Sequence, residues 1–309
     1  MTQIARYRLD AVHGFGAFAT VWRGWDTELE ITVAVKVLAE NWANHADVRE
    51  RFLSEARLLR RIDDPRVVRV HDVGTSDGRP YFVMDFVHDG TLADRIDPPL
   101  PPHRALALAA QAARAVQVLH DAGVLHRDIK PSNVLVRTET SPDGESTDHA
   151  LISDLGSAKQ LAEASGITVT TGTPAYMSPE QARGRPTDAR ADVYSLGALT
   201  YELLTGRPPF DGGDLSALLS RTPASRPQPV SPAHGLPSAV DRVLARALAF
   251  QPADRPGTAD ELAEALEQLA AGTRPRGFRR LRRDVPAAAV VALAVVAFAV
   301  AAAATIWWP

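Results

Sequence analysis

The strongest constraint on this chain is the order in which its hydrophobic periodicity changes. Tyr7–Asp26 reads as two strands around a glycine-containing turn, and Ile31–Leu38 (ITVAVKVL) as a β-branched strand of the buried kind. Asp47–Ile62 follows as a charged amphipathic helix with Phe52, Ala56, Leu59 and Ile62 at helical spacing. Val67–Val73 and Tyr81–Val87 read as short strands either side of a Ser76-Asp77-Gly78 turn. Past the prolines at 98–102 the pattern turns helical. His103–Asp121 sets Leu106, Ala109, Ala113 and Val116 on one face and stops at Gly123. Residues 137–150 are polar and turn-rich and read as a surface loop. From residue 178 onward helices dominate, interrupted between Pro223 and Pro237, and Thr258-Ala259-Asp260-Glu261 reads as a capping box opening the last of them. No internal repeat is present. Strands first and helices later predict an α+β protein in two lobes, over about 1–88 and 89–273.

Beyond residue 273 the composition shifts. Residues 274–309 hold six arginines and one aspartate, a net +5, which leaves −8 on residues 1–273. Ala287–Trp308 is a run of 22 residues whose only polar member is Thr305. As a helix it spans about 33 Å, enough for a hydrocarbon core of about 30 Å. Arg276, Arg279, Arg280, Arg282 and Arg283 precede it and Trp307 and Trp308 close it, so the positive-inside rule places residues 1–273 in the cytoplasm. The expectation is a basic juxtamembrane segment at 274–285 and one transmembrane helix at 286–308, with the lipid bilayer as partner. A buried core helix is the alternative reading of this half-alanine run. Its alanines permit close packing with a second copy, hence a homodimer, although Gly-x-x-x-Gly is absent. The amino terminus has no apolar stretch of the signal-peptide kind, and only Pro309 follows the span, so no extracytoplasmic sensor domain is expected.

Two compositional facts exclude whole classes of function. The chain has no cysteine, which removes disulfides, thiolate-ligated metals and thiol catalysis. Its net charge of −3 gives no basic surface, so nucleic acid is not an expected partner. A third fact directs attention. Only Lys36, Lys130 and Lys159 are lysines, against 31 arginines, so a lysine here stands out as a point charge retained where a planar fork is the default.

Lys36 lies inside the buried-type strand, where an ammonium is costly unless paired. Glu55, in the following helix, is the candidate partner; alone it would read as a solvated helix residue. Upstream, His13-Gly14-Phe15-Gly16-Ala17-Phe18-Ala19-Thr20-Val21 is a glycine turn between strands, able to bring backbone N–H groups close to phosphates. A plain hairpin explains that stretch equally well, and a strand follows it where a dinucleotide-binding fold needs a helix. Downstream come His126-Arg127-Asp128-Ile129-Lys130-Pro131-Ser132-Asn133 and, 21 residues after Asn133, Asp154-Leu155-Gly156.

In this order the motifs resemble the signature set of bacterial, eukaryotic-like serine/threonine protein kinases over roughly residues 5–271. Gly172-Thr173-Pro174-Ala175-Tyr176-Met177-Ser178-Pro179-Glu180, Asp192-Val193-Tyr194-Ser195-Leu196-Gly197 and Asp254-Arg255-Pro256 extend the match. The resemblance implies a bilobal kinase fold and transfer of the γ-phosphate of ATP to protein hydroxyls. It assigns Lys36 to the ATP phosphates and to Glu55, Asn133 and Asp154 to Mg²⁺ (with Mn²⁺ as a substitute), Asp128 to the substrate hydroxyl, and Lys130 to the transferring phosphoryl group. It implies that Lys130 marks a serine/threonine enzyme, and that Thr173 contacts Asp128 and Lys130. It implies a nucleotide pocket from His13, Gly14, Phe15 and Gly16, walled by Val21, Ala34 and Leu135. Met84 lies deep in that pocket, and the Asp85–Val87 backbone faces the base. Arg127 before Asp128 implies control by activation-segment phosphorylation, with Thr168, Thr170 and Thr171 as candidates. Lys159 reads as an ordinary cation of that segment.

The chain departs from the family at His13, in place of an aliphatic cover for adenine, and at Ala19, in place of a third glycine. Leu155 stands for Phe and Ser178 for Ala, and the 137–150 loop is longer than usual. None of these removes a charged group, which argues against the rival reading of a catalytically silent, nucleotide-binding pseudokinase scaffold.

Overall fold

A computed structural model describes residues 2–16, 18–155, 174–210 and 215–273. Residues 1–273 form one unit, and the basic segment and apolar run of 274–309 lie outside the described residues. Among the described residues no helix is long and apolar enough to cross a membrane.

The first half is an antiparallel sheet with order β1-β2-β3-β4-β6-β5. Its strands are β1 (Thr2–Ile4), β2 (Tyr7–Phe15), β3 (Ala19–Asp26), β4 (Ile31–Leu38), β5 (Val70–Ser76) and β6 (Arg79–Asp85). Strand β1, which the sequence did not reveal, adds three residues at the β2 edge and turns into β2 through a left-handed Ala5 (φ 50°). Helix α1 (Ala46–Arg61) lies on one face: Phe52, Ala56 and Leu59 join Leu38, Val70, Phe82 and Met84 in the main core, with the rings of Phe52 and Phe82 5.0 Å apart. The other face closes on itself, because Tyr7 and Tyr81 fold over Val33, Val35, Val37 and Val83. Tyr7 is fixed there by donating its hydroxyl to Asp72 at 2.7 Å.

The second half is built on α2 (Pro102–Asp121) and carries β7 (Val134–Thr140) and β8 (Ser146–Ile152). Then come α3 (Pro179–Ala182), α4 (Ala189–Thr205), α5 (Leu215–Leu219), α6 (Ser231–His234), α7 (Ala239–Ala247) and α8 (Ala259–Thr273). Helix α4 is buried on nearly every side and ends where Gly206 takes the left-handed conformation (φ 75°) that a helix terminus of this type requires.

Residues 137–150 correct the surface-loop reading. They form most of a β-hairpin, paired from Val134↔Ile152 to Thr140↔Ser146. Its outer half is polar on both faces, so no apolar alternation announces a strand. Cross-strand bonds hold it instead: Thr138 donates to Asp148 at 2.8 Å, and Arg104 of α2 reaches the same carboxylate at 2.8 Å. The expected 67–73 strand is also divided. Val68 donates to the Ile152 carbonyl at 2.9 Å, stitching the start of this stretch to β8 in the second half, and only from Val70 does it join the sheet.

Candidate active site

Strand β4 alternates strictly, and the alternation places its lysine. Val33, Val35 and Val37 point to the outer cluster, so Ala34, Lys36 and Leu38 point towards α1. On α1, Glu55 falls in the buried stripe with Phe52, Ala56 and Leu59. Lys36 Nζ donates to Glu55 Oε1 at 3.0 Å and to Asp154 Oδ1 at 2.8 Å. The Glu55 side chain is 1% exposed, that of Lys36 13% and that of Asp154 34%. Burial works against the Lys36 charge, yet Asp154 and Glu55 together raise its pKa above the usual lysine value. Burial also favours a neutral Asp154, but the Lys36 ammonium outweighs it and lowers the carboxyl below its ordinary value.

The second cluster is local. Lys130 Nζ lies 3.0 Å from Asp128 Oδ2. Asn133 Nδ2 donates to the Asp128 carbonyl at 2.8 Å and to its Oδ2 at 3.0 Å. The segment that carries them is irregular, and helix α4 anchors it from below. Asp192 is fully buried. Its Oδ1 accepts from Arg127 N at 2.7 Å, and its Oδ2 from His126 N at 2.9 Å and faces His120 Nε2 at 2.8 Å. Arg127 is thereby held at φ 62°, a left-handed conformation that costs about 1–3 kcal/mol outside glycine and persists where neighbours enforce it. The Arg127 carbonyl accepts from Gln181 Nε2 of α3 at 3.0 Å, a second clamp on the same residue.

His126 joins the two clusters. It is fully buried; its Nδ1 accepts from Asp128 N at 3.3 Å, so its Nε2 carries the proton and donates to the Ser153 carbonyl at 3.0 Å. Ser153 in turn donates through N and Oγ to the Asn133 carbonyl, at 3.1 and 3.2 Å. The next residue, Asp154, takes φ 54°. Both positive-φ residues of the site therefore sit one step from a chemistry-bearing carboxylate or are one.

Asn133 and Asp154 suit a hard divalent cation. The Asn133 nitrogen is committed to Asp128, which turns its oxygen to the opposite side, and Asp154 supplies a carboxylate. Among the described residues no group of three or more His, Asp or Glu forms a metal cage. The two side-chain oxygens of Asn133 and Asp154 suit Mg²⁺, which would take one or two protein oxygens and complete its shell with phosphate and water.

The expected wall residues gather in one apolar cluster: Ala34 pairs with Met84 across β4 and β6, and Val87, Val21 and Leu135 pack against the same core. The Asp85 side chain turns away, to His71 Nε2 at 2.7 Å and Arg137 at 3.9 Å. In the glycine turn Gly16 is constrained most, since a Cβ there would meet the Ala19 carbonyl at 3.3 Å. Phe15 is 85% exposed at its tip. Leu155 is buried, and Ser178 caps α3 by accepting from Gln181 N at 3.4 Å. Gly156, Lys159, Thr168, Thr170, Thr171 and Thr173 lie outside the described residues.

Some residues that frame the site had no role assigned from sequence. Arg255 binds Glu180 through two bonds of 2.6 and 2.8 Å, with its guanidinium buried below α4. For Asp192 a signal existed: a carboxylate inside a helix apolar on all sides needs buried donors.

Comparison with known proteins agrees with this frame. Residues 7–267 match the family described as protein kinase domain. The serine/threonine-protein kinase PknB of Mycobacterium leprae is 38% identical over 280 residues, which cover 87% of this chain and 44% of the relative. PknL of Mycobacterium tuberculosis strain H37Rv is 37% identical over 271 residues, 86% of this chain and 66% of the relative. The crystal structure of the M. tuberculosis PknI kinase domain superposes with a TM-score of 0.67 at 30% identity, covering 87% of this chain and 98% of that one. The chain thus spans less than half the length of the PknB relative. Neither these relatives nor the geometry favours a silent scaffold.

Proposed function

The chain belongs to the protein kinase domain family, with a strand-rich N-lobe and a helical C-lobe, and we propose that it transfers the γ-phosphoryl group of ATP to serine or threonine hydroxyls of proteins. One observation carries the reading: Asp128, Lys130 and Asn133 converge within 3.0 Å contacts on a strained loop that a buried carboxylate holds in place.

Asp128 accepts the proton of the substrate hydroxyl and aligns its oxygen for in-line attack, as the P–O bond to the leaving diphosphate breaks. Lys130, already at the Asp128 carboxylate, offers its ammonium to the charge on the moving phosphoryl group. Lys36 holds the inner phosphates, and Glu55 fixes it for that task. Mg²⁺ held by Asn133 and Asp154 would neutralise phosphate charge that the two lysines alone leave unbalanced. Val21, Ala34, Met84 and Leu135 enclose the adenine, and the Asp85–Val87 backbone offers its hydrogen-bonding edge.

Three further parts of the reading rest on sequence. Residues 286–308 cross the cell membrane once, with the catalytic domain cytoplasmic and the arginines of 274–283 at the inner face; the alanine-rich helix permits pairing of two copies. One or more of Thr168, Thr170 and Thr171 is autophosphorylated. The substrates are proteins met at that membrane face.

The test is incubation of the full chain, reconstituted in lipid nanodiscs, with Mg²⁺, γ-labelled ATP and a basic protein acceptor, beside the Asp128→Asn form. Label on serine or threonine that vanishes in the variant supports the reading; label that survives in it overturns Asp128 as the proton acceptor. Mass spectrometry of the same samples reports the threonines, and carbonate extraction of cell membranes reports the anchor.

A further inference from the structure

The residue before the first glycine of the turn sits in an irregularity of the sheet. Strands β2 and β3 pair Val12 with Trp22 and Gly14 with Val21, so His13 is an extra residue bulged out of the register. A bulge re-aims a side chain, and bulges gather beside functional sites. Here it carries the imidazole away from the sheet and onto Phe86, the residue following β6 where the chain passes between lobes. The two rings meet edge to face, centroids 4.9 Å apart at 62°. Phe86 is held in turn by His88, 4.8 Å away at 77°, and by the Arg23 guanidinium of β3 at 5.9 Å.

From this arrangement we propose that His13 and Phe86 are positioning residues that clasp the glycine turn to the hinge and so set the affinity for nucleotide. The inference rests on the kinase reading and goes beyond it. An aliphatic residue at position 13 would contribute by covering the base. His13 instead tethers the root of the roof to the segment whose backbone faces the base. Apart from this contact the turn is held by the pairing of Phe15 with Thr20 and by Gly16 N donating to the Ala19 carbonyl at 3.0 Å, while the Phe15 side chain at its tip is exposed. Ordering this turn when nucleotide binds costs conformational entropy, and a clasp already closed in the empty protein removes part of that cost. An edge-to-face aromatic pair is worth about a 2- to 10-fold change in an equilibrium constant.

A double-mutant cycle tests it on the full chain in nanodiscs, with Mg²⁺ and a non-hydrolysable ATP analogue titrated calorimetrically. His13→Ala and Phe86→Leu should each raise the dissociation constant by about 2- to 10-fold. The double variant should be no weaker than the worse single one, and the melting temperatures without nucleotide should fall by no more than about 2–4 °C, as the loss of one ring contact requires. Phe86→Leu keeps an apolar side chain in place, so its loss reports the ring rather than the fold. Additive losses, or an unchanged dissociation constant for His13→Ala, overturn the clasp while leaving the kinase reading intact. A wild-type chain that binds no analogue overturns the kinase reading, and the clasp with it.

Discussion

The two lysines of the site are held in opposite ways. Lys36 meets carboxylates 19 and 118 residues away, one from α1 and one from the helical lobe. Lys130 meets a carboxylate two residues away, within a single loop. The first cluster exists only when sheet, α1 and C-lobe are docked together, and its Lys36–Glu55 pair is largely withdrawn from water, while Asp154 is 34% exposed at its edge. The second closes within one turn and keeps more contact with solvent, with Lys130 26% and Asp128 18% exposed at the side chain. Lys130 therefore serves chemistry alone, whereas Lys36 serves chemistry and assembly together. Losing the local cluster should cost turnover, whereas losing the long-range one should cost turnover and stability together.

The largest expected effect belongs to the local cluster. Asp128→Asn should lower the phosphorylation rate by about 10²- to 10⁴-fold, the usual contribution of a positioned proton acceptor, with the urea midpoint little changed. A large shift of that midpoint would break the division between the clusters. Lys36→Met comes next and should differ in kind. It leaves the Glu55 carboxylate buried without its ammonium, a change that costs about 3–5 kcal/mol of stability. Lys130→Met should also depress phosphorylation but cost less stability, about 1 kcal/mol, because the pair keeps contact with solvent and Asn133 still donates to the Asp128 carboxylate. Adding Glu55→Gln to Lys36→Met should recover much of the stability and none of the activity, which denaturation curves and the labelled-ATP assay can separate.

Asp192→Asn should produce a smaller loss. The carboxylate gives up charge-assisted bonds to two backbone N–H groups, about 1.5–3 kcal/mol for a hydrogen bond to a charged group. Because it clamps the left-handed Arg127, turnover should fall more than the acceptor KM rises. Equal changes in both would mean that the loop holds its own shape and that α4 is only a support.

The site and its supports differ in how far they were legible in the sequence. The strand lysine was readable because its charge sits in a pattern that makes burial costly, whereas Glu55, Asp128, Lys130 and Asn133 were readable only through the order of motifs that resembles the kinase signature. The elements around them were readable where one face is apolar, as in β4 and α1. The outer half of the β7–β8 hairpin was not, because Thr138, Thr140, Ser146 and Asp148 pair polar with polar and leave no alternation. The His13 bulge was hidden for a related reason: one extra residue shifts register without changing composition. Long-range supports such as Arg255 with Glu180, 75 residues apart, have no local signature beyond a charge in an apolar setting.

The smallest expected effect separates the clusters by pH. Asp154 is lowered in the folded chain because Lys36 outweighs the burial that would raise it. A carboxyl whose folded value lies below its unfolded one, about 3.9, stabilises fully above the unfolded value and loses that contribution as pH falls through the folded one. Lys36 is raised in the folded chain, so its share is fully present below its unfolded value, about 10.4, and is lost only as pH rises through the folded one. Between those limits the long-range cluster contributes a constant term. Melting curves of wild type and Asp154→Asn should thus run parallel through neutral pH, wild type higher, and converge as pH drops below about 4. The convergence should be gone when Lys36→Met is present in both chains, since the ammonium that lowers Asp154 is then absent. A gap that does not narrow at all as pH falls below about 4 would mean that Asp154 acts other than through its charge.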